Sequence, residues 1–522
     1  MKKFMELFGE KTIGCLSGWD RLAFRGTLRW LASKQGVGSY LSCNGILLKD
    51  FGRWAESLTR RVRAACEDVG KSLGIRMEYL RSSTLCKEER AREIAKQDGI
   101  ETGPICMFSV VEPCYAPTVV GNRETKQLEL VVRQRKCVWL YFYWNDPDHG
   151  FGHMRIQSWL PFTIKGCLNG RHWLERQLLA EGLAYKKSDN TFRWIADCER
   201  AQQLLDEQLK TDWPALFNEY RRLHFGVVDS LFGSDPLHYY WSAESTEWAT
   251  DIMFRSTNEL DHLFPLLARY GMLIGDSANV LRFLGRIAPD AALPRRVSGD
   301  IRGDRRRRHE GIRVKHWSGA NSIKVYNKAG NVLRVETTIN ATRDFKVYRQ
   351  ANDEPERPST WLPMRKGVAD MHRRSRICQK GNERYLDALA ACGTSGTLLE
   401  MVADISKRTS LNGRSVRALN PWAEKDHALF QFLAQGQWTL TGFRNRDLAK
   451  WLNPTAEQLP PHERRKLSAR ASYLLRILKA HGLIRKIPKS HRYQLTKKAI
   501  QITTTVLLAA NAQTQRLTEI AA

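Results

Sequence analysis

Between Gly311 and Asn340 the chain reads GIRVKHWSGANSIKVYNKAGNVLRVETTIN, and within it a lysine, a tyrosine, an arginine and a glutamate stand at alternating positions. Lys324 and Tyr326 alternate with Ile323 and Val325. Arg334 and Glu336 alternate with Leu333, Val335, Thr337 and Ile339, so a period of two assigns each segment one apolar strand face. A two-residue turn at Ala329-Gly330 would set Tyr326 opposite Leu333 and mix the faces. A three-residue loop Ala329-Gly330-Asn331, with glycine at positive φ, instead sets Tyr326 opposite Arg334 and Lys324 opposite Glu336. The polar quartet then shares one face. It is either a solvated surface of cross-strand charge pairs or a site where a phenol, two cations and a carboxylate converge. A phenol attacks a phosphodiester only if its neighbours lower the cost of the phenolate and a divalent cation polarises the phosphate, so further ligands must come from elsewhere.

Four acids are candidates for that role. Asp20 sits beside Arg21 on an aromatic-rich segment, where an exposed ion pair is the plain alternative. Glu112, in SVVEPCY, follows an apolar run and so falls at a strand end. Asp146 crowds one turn with Asp148, His149 and His153; the cluster suits a hard metal, and an Asp-Pro-Asp sequence equally suits simple turn chemistry. Asp251, in WATDIMFRS, lies inside an apolar strand, where a carboxylate needs a partner or a proton. His316 alternates with Ile312 and Val314 and reads as a satisfied core histidine.

The composition points to a polyanion as partner. Against 55 acidic residues stand 83 Lys and Arg, leaving +28 on 522 residues and a pI near 9.8. Such a field attracts nucleic acid at any realistic salt. A membrane surface is the rival, but no run of 18 apolar residues occurs and the start MKKFMELFGEKTIGC lacks the apolar core of a signal peptide, so a cytoplasmic protein is expected. The 11 cysteines form no Cys-x-x-Cys pair and read as reduced thiols, with neither zinc nor a disulfide framework. No glycine-rich loop ending in Lys-Ser/Thr is present, so no nucleotide cofactor is expected.

The elements that must position these residues suggest an α+β multidomain chain: an antiparallel-sheet α+β core followed by a C-terminal winged helix. Residues 1–212 form an N-terminal α+β domain in which ICMFSVVEP and KCVWLYFYWNDPDHGFGHMRIQSWLPF supply a meander, and ERAQQLLDEQLKTDWPALFNEY supplies an amphipathic helix. Residues 225–385 form a second α+β domain carrying the hairpin and basic runs. Residues 386–420 are a linker, and 421–522 a helical nucleic-acid-binding domain. The runs GDRRRRHEG and HRRSRICQKGNER bracket the hairpin. They offer Arg305, Arg306, Arg307, Arg308, Arg373 and Arg374, with Lys328 at the hairpin's end, as phosphate contacts, while Trp317, Tyr348 and Trp361 are interleaved as stacking surfaces.

In the final fifth of the chain the order is helix, helix, helix and basic hairpin. With LLRILKAHGLI and the segment RKIPKSHRYQLT, this resembles the MarR-like winged-helix DNA-binding domains. The resemblance implies a third helix whose exposed side enters the major groove, offering Ser468, Arg470, Ser472, Tyr473 and Arg476, and a wing whose Lys489, His491 and Arg492 reach phosphate or the minor groove. A dimer, if one forms, would use this region. The pattern Lys-x-Tyr-x-Lys, short loop, Leu-Arg-x-Glu is also similar, over about thirty residues, to the hairpin of rolling-circle replication initiators, which are metal-dependent nicking enzymes. That resemblance implies Tyr326 as nucleophile, Glu336 as metal ligand, and Lys324 and Arg334 as phosphate-holding cations, with Mg2+ or Mn2+ as the expected cofactor. By residue type and setting alone, Asp20 is the candidate to assist and Asp251, Asp146 and Glu112 are the candidate further ligands. The His-hydrophobe-His cluster of many nicking enzymes is absent. Two functions follow as expectations: a site-specific DNA endonuclease or strand transferase of a bacterial mobile element or replicon, transposase- or replication-initiator-like, or a non-enzymatic DNA- or RNA-binding protein, a regulator or a partner of a structured RNA. Duplex DNA is the foremost partner and RNA the alternative.

Overall fold

A computed structural model describes residues 1–522 apart from 233–236, 276, 288–300, 309–310, 352–355, 357, 391–397, 436–437, 439–441, 489 and 513–522. The chain is α+β. In order, its strands are β1 (Thr12–Thr27), β2 (Arg76–Leu80), β3 (Gly103–Gly121), β4 (Leu128–Asp146), β5 (Gly150–Gln157), β6 (Ile164–Asn169), β7 (Tyr185–Ser188), β8 (Thr191–Ile195) and β9 (Tyr240–Phe254). They continue with β10 (Ile301–Arg308), β11 (Gly311–Ser318), β12 (Asn321–Lys328), β13 (Val332–Ile339), β14 (Lys346–Arg349), β15 (Thr360–Pro363), β16 (Thr409–Leu411), β17 (Arg414–Val416), β18 (Phe443–Arg444), β19 (Ile484–Lys486) and β20 (Arg492–Leu495).

The chain divides into two compact units. A hairpin unit comprises Met1–Cys15, Thr250–Thr337 and Ile377–Ala522; a meander unit comprises Leu16–Ala249 and Thr338–Arg376. This differs from the serial division expected at 212, 385 and 420. Composition marks turns and linkers, whereas the boundaries here fall inside β1, β9, β13 and the helix Met371–Leu389, where no turn residue announces them.

In the meander unit the N-terminal part of β9 is followed by β1-β6-β5-β4-β3-β2, antiparallel except for the parallel pair β2 and β3. The run from Trp139 to Trp144 in β4 is buried on both faces, as its continuous aromatic and β-branched character requires. On one side Ala91 and Ile94 of the helix Lys87–Gln97 join Ile105, Phe108 and Tyr141 in a core. The expected single helix after Cys198 is two, Cys198–Gln208 and Trp213–Phe225, because Asp212 caps the second through the Ala215 N–H and Pro214 lies in its first turn.

In the hairpin unit β10-β11-β12-β13 precede the C-terminal part of β9. The helix Thr257–Leu273 lies against β11 and β12, where Val314 pairs with Val325 and His316 with Ile323. The C-terminal segment of this unit holds the helix Glu424–Leu433, β18, the helices Asn445–Leu452 and Pro461–Ala480, then β19, β20 and the helix Lys497–Ala510, with a small sheet ordered β18-β20-β19. Helix, strand, helix, helix and two-stranded wing is the order of a winged helix. At Gly442, φ is +66°, and a Cβ there would come within 2.3 Å of the Tyr493 carbonyl oxygen, so only glycine lets β18 approach the wing strand this closely. Ile405, Val416 and Leu419 belong to the same core as Leu475, Leu478 and Ile502, so the span expected to be a linker supplies packing instead. Among the described residues no helix is long and apolar enough to cross a membrane.

Candidate nucleic-acid interface and the buried hairpin network

The helix Pro461–Ala480 begins at a proline suited to a first helical turn and buries Ala471, Leu475 and Leu478, a stripe at spacings of four and three, together with Ile477. The opposite side is exposed and carries Arg464, Arg465, Lys466, Ser468, Arg470, Ser472, Tyr473 and Arg476. The Arg476 guanidinium lies over the Tyr473 ring at 5.2 Å. Asn445, opening the preceding helix, donates to the Ser468 carbonyl at 3.1 Å and the Ser472 hydroxyl at 2.8 Å, and accepts from the Ser468 hydroxyl at 3.0 Å. These bonds lock two helices together and leave the arginines outward. Arg485, Lys486 and His491 of the wing are exposed, while Arg492 is half-buried and donates to the Gly442 carbonyl at 3.4 Å. Lys489 lies outside the described residues. The N-terminal cations Arg464 to Lys466 were missed by sequence reasoning, although the run HERRK directly after Pro460-Pro461 signals them.

The hairpin has the three-residue loop expected, with β12 ending at Lys328 and β13 starting at Val332. Both Ala329 (φ 56°) and Gly330 (φ 84°) take left-handed conformations. The quartet converges, but inside the protein. The Tyr326 hydroxyl donates to Glu336 Oε2 at 3.1 Å, and Lys324 Nζ is 2.6 Å from Glu336 Oε1. Arg334 grips Asp251 with a two-pronged pair, Nε to Oδ1 at 2.5 Å and Nη2 to Oδ2 at 2.8 Å. Arg334 is 0% exposed, Glu336 and Asp251 1%, and Tyr326 8%. Burial alone would raise the Glu336 carboxyl; the Lys324 ammonium above all, with Arg334 and the Tyr326 hydroxyl, outweighs it and holds the group below the usual carboxylate range. Beyond this network, β11 presents Trp317 beside Lys315 at 4.8 Å and the cross-strand Arg302 at 5.7 Å.

Other expected residues scatter. Three expected phosphate contacts are turned inward: Arg334 is held by Asp251, Lys328 is 8% exposed, and Arg374 is 1% exposed with its guanidinium at the Thr246 hydroxyl, 3.1 Å. In the helix Met371–Leu389 the basic run faces both ways, and residue type does not reveal which arginines point in. Arg373 pairs with Asp370 at 2.7 Å. Arg305 and Arg306 are exposed on β10, Arg306 beside Asp304 at 2.5 Å; the side chains of Arg307 and Arg308 lie outside the described residues.

The isolated acids have structural partners. Asp20 is buried and accepts from Asn190 at 2.7 Å and Asn169 at 3.5 Å. Glu112 lies within the long β3 rather than at its end. It accepts from Tyr141 at 2.8 Å and Arg155 at 2.6 Å, with Lys87 at 2.9 Å. Asp146 accepts the N–H groups of Asp148 and His149, each at 2.8 Å, and the Tyr220 hydroxyl at 2.8 Å; these bonds hold it below the usual carboxylate range despite burial. His153 leaves that turn for β5, where burial beside Tyr143 lowers it to about 3. His316 is buried, 3.1 Å from both the Gly271 carbonyl and the Tyr385 hydroxyl, and burial lowers it to about 4.

Compared with protein-family models, curated proteins and solved structures, the chain finds no match.

Proposed function

We propose that the chain is a nucleic-acid-binding protein of a bacterial mobile element or replicon that engages duplex DNA through the helix Pro461–Ala480 and the wing after it. One observation carries this reading: the exposed side of that helix holds Arg464, Arg465, Lys466 and Arg470, which among the described residues make no ion pair, in a chain of net charge +28. Unpaired outward cations on a helix seated above a three-helix core are what phosphate and base edges require. The test is duplex binding by the full chain across a salt series. Affinity falls steeply with salt, and the Arg470→Glu/Arg476→Glu variant weakens it by roughly a hundredfold, two contacts at ~1–3 kcal/mol each. Equal affinity in this variant and the wild type overturns the reading.

A second reading, a metal-dependent nicking enzyme, is favoured by the contact of a phenol with a carboxylate at 3.1 Å and of that carboxylate with an ammonium at 2.6 Å. Against it stands access, since Tyr326, Arg334, Glu336 and Asp251 are each at most 8% exposed, and a divalent ion at Glu336 must compete with the Lys324 ammonium at 2.6 Å. Mg2+- or Mn2+-dependent cleavage, or a covalent protein–DNA adduct, that vanishes in Tyr326→Phe establishes this reading. Absence of cleavage in the wild type discards it.

A further inference from the structure

The meander unit contains a cleft of about 1370 Å³ with no part in the reading above. Its volume exceeds the ~300–1,000 Å³ of small-molecule sites, so it suits an extended ligand. Its walls come from segments far apart in sequence: Arg29 just after β1, the turn into the helix Trp213–Phe225, the start of β9, and residues within 340–349 and 362–372. Five cations line it, Arg29, Arg343, Arg349, Arg365 and Lys366, against one carboxylate, Asp212, whose side chain caps a helix. Arg365 is held by Asp370 at 3.0 Å, and the Arg29 guanidinium lies 3.7 Å over the Tyr240 ring. Arg343 and Lys366 are exposed, and among the described residues neither makes an ion pair or side-chain hydrogen bond.

The two-stranded ribbon β14–β15 supplies part of this wall through Arg349 and Leu362. Alternation along the ribbon turns Val347 inward, 5% exposed, and brings Tyr348 directly opposite Trp361 on the solvent side, 59% and 66% exposed with ring centroids 5.8 Å apart. Two large aromatic rings held together in water have a cost in exposed apolar area that neither strand pairing nor core packing offsets. Neither ring lines the cleft: the pair stands on the ribbon face away from Arg349 and Leu362, so a ligand reaches both cations and rings only by running out of the cleft over the ribbon, as a chain that alternates phosphates with accessible bases can. Only an unpaired strand has such bases, since in a duplex they are stacked on one another.

We propose that this cleft and ribbon bind single-stranded nucleic acid, with Arg343 and Lys366 holding phosphates and Tyr348 and Trp361 stacking bases. The site is separate from the duplex-binding helix and does not depend on it. The test uses the full chain, fluorescein-labelled 20-mers of oligo-dT and oligo-rU, and a 20-base-pair duplex, by anisotropy in physiological salt. Two variants confined to exposed side chains, so that folding survives, are compared: Arg343→Glu/Lys366→Glu and Tyr348→Ala/Trp361→Ala. The expected result is single-strand affinity reduced roughly 10- to 100-fold in each variant, the size of ~1–3 kcal/mol per stacked base or phosphate contact, with duplex affinity unchanged. Oligo-dT against oligo-rU then tells which sugar the site takes. Single-strand binding that is absent in the wild type, that survives in both variants, or that falls in parallel with duplex binding overturns the proposal. Loss of duplex binding in Arg470→Glu/Arg476→Glu, with oligo-dT or oligo-rU binding retained, separates this site from the winged helix.

Discussion

The helix Pro461–Ala480 and the hairpin β12–β13 as far as Thr337 belong to one unit and are built from the same charged and phenolic residue types, yet they use them in opposite ways. The helix spends its apolar residues on one stripe and leaves its arginines in water. The hairpin has no free side: every residue of β13 is buried, so Arg334 and Glu336 must find their counter-charges inside. A charged residue in water keeps its charge available to a partner. A charged residue in a sheet interior is already engaged, and its charge now specifies which strands lie together. The difference lies in how many faces of the element are covered, which depends on elements distant in sequence.

The largest test of this contrast is Arg334→Ala. It leaves the Asp251 carboxylate buried without its guanidinium, and a loss of about 3–5 kcal/mol is expected from urea unfolding. Asp251→Leu/Arg334→Met, which removes both charges, regains most of that loss. Duplex affinity per folded molecule stays constant in both variants; a binding defect at full stability would break the contrast.

Acid probes buried rings in each unit, His316 in the hairpin unit and His172 and His224 in the meander unit. Burial lowers His316 to about 4, and His172 and His224 also to about 4. In the unfolded chain these rings titrate near ~6.5, so as pH falls the unfolded state takes up protons first. Their stabilising contribution is complete above about pH 6.5 and is lost between there and pH 4, roughly 3 kcal/mol for His316 alone. His316→Gln flattens this part of the stability–pH curve; an unchanged curve would mean that the ring is not held neutral. The smallest effect is Tyr326→Phe, which removes one hydrogen bond to Glu336 and is expected to cost about 1 kcal/mol of stability with no change in binding.

Much of the hairpin was legible beforehand because its information is local. Alternation fixes which side chains share a face, and glycine in a loop of odd length fixes the register, so the convergence of Lys324, Tyr326 and Glu336 could be read from thirty residues. The need of Asp251 for a partner followed from its apolar surroundings, although the partner, Arg334, lies 83 positions away. Burial was not legible. Nothing in RRSR separates Arg374, held at Thr246, from Arg376, exposed on the same helix. The cleft of the meander unit was invisible for the same reason, since its cations come from positions 29, 343, 349, 365 and 366. Tyr348 and Trp361 were singled out as stacking surfaces, but their cross-strand pairing needs the register of the ribbon β14–β15, which no alternation or turn motif in the sequence sets.

The interleaved division of the chain has a bearing on its synthesis. Met1–Cys15 belongs with residues that begin only at Thr250, and the meander unit closes only with Thr338–Arg376. At ~5–20 residues per second, the first segment leaves the ribosome on the order of ten seconds or more before its packing partners exist. In that interval Phe4 and Phe8, both buried in the finished protein, lack the residues from Thr250 onward that belong to their unit. Completion of either unit therefore waits on contacts between positions far apart in sequence, the kind of contact whose closure is slow.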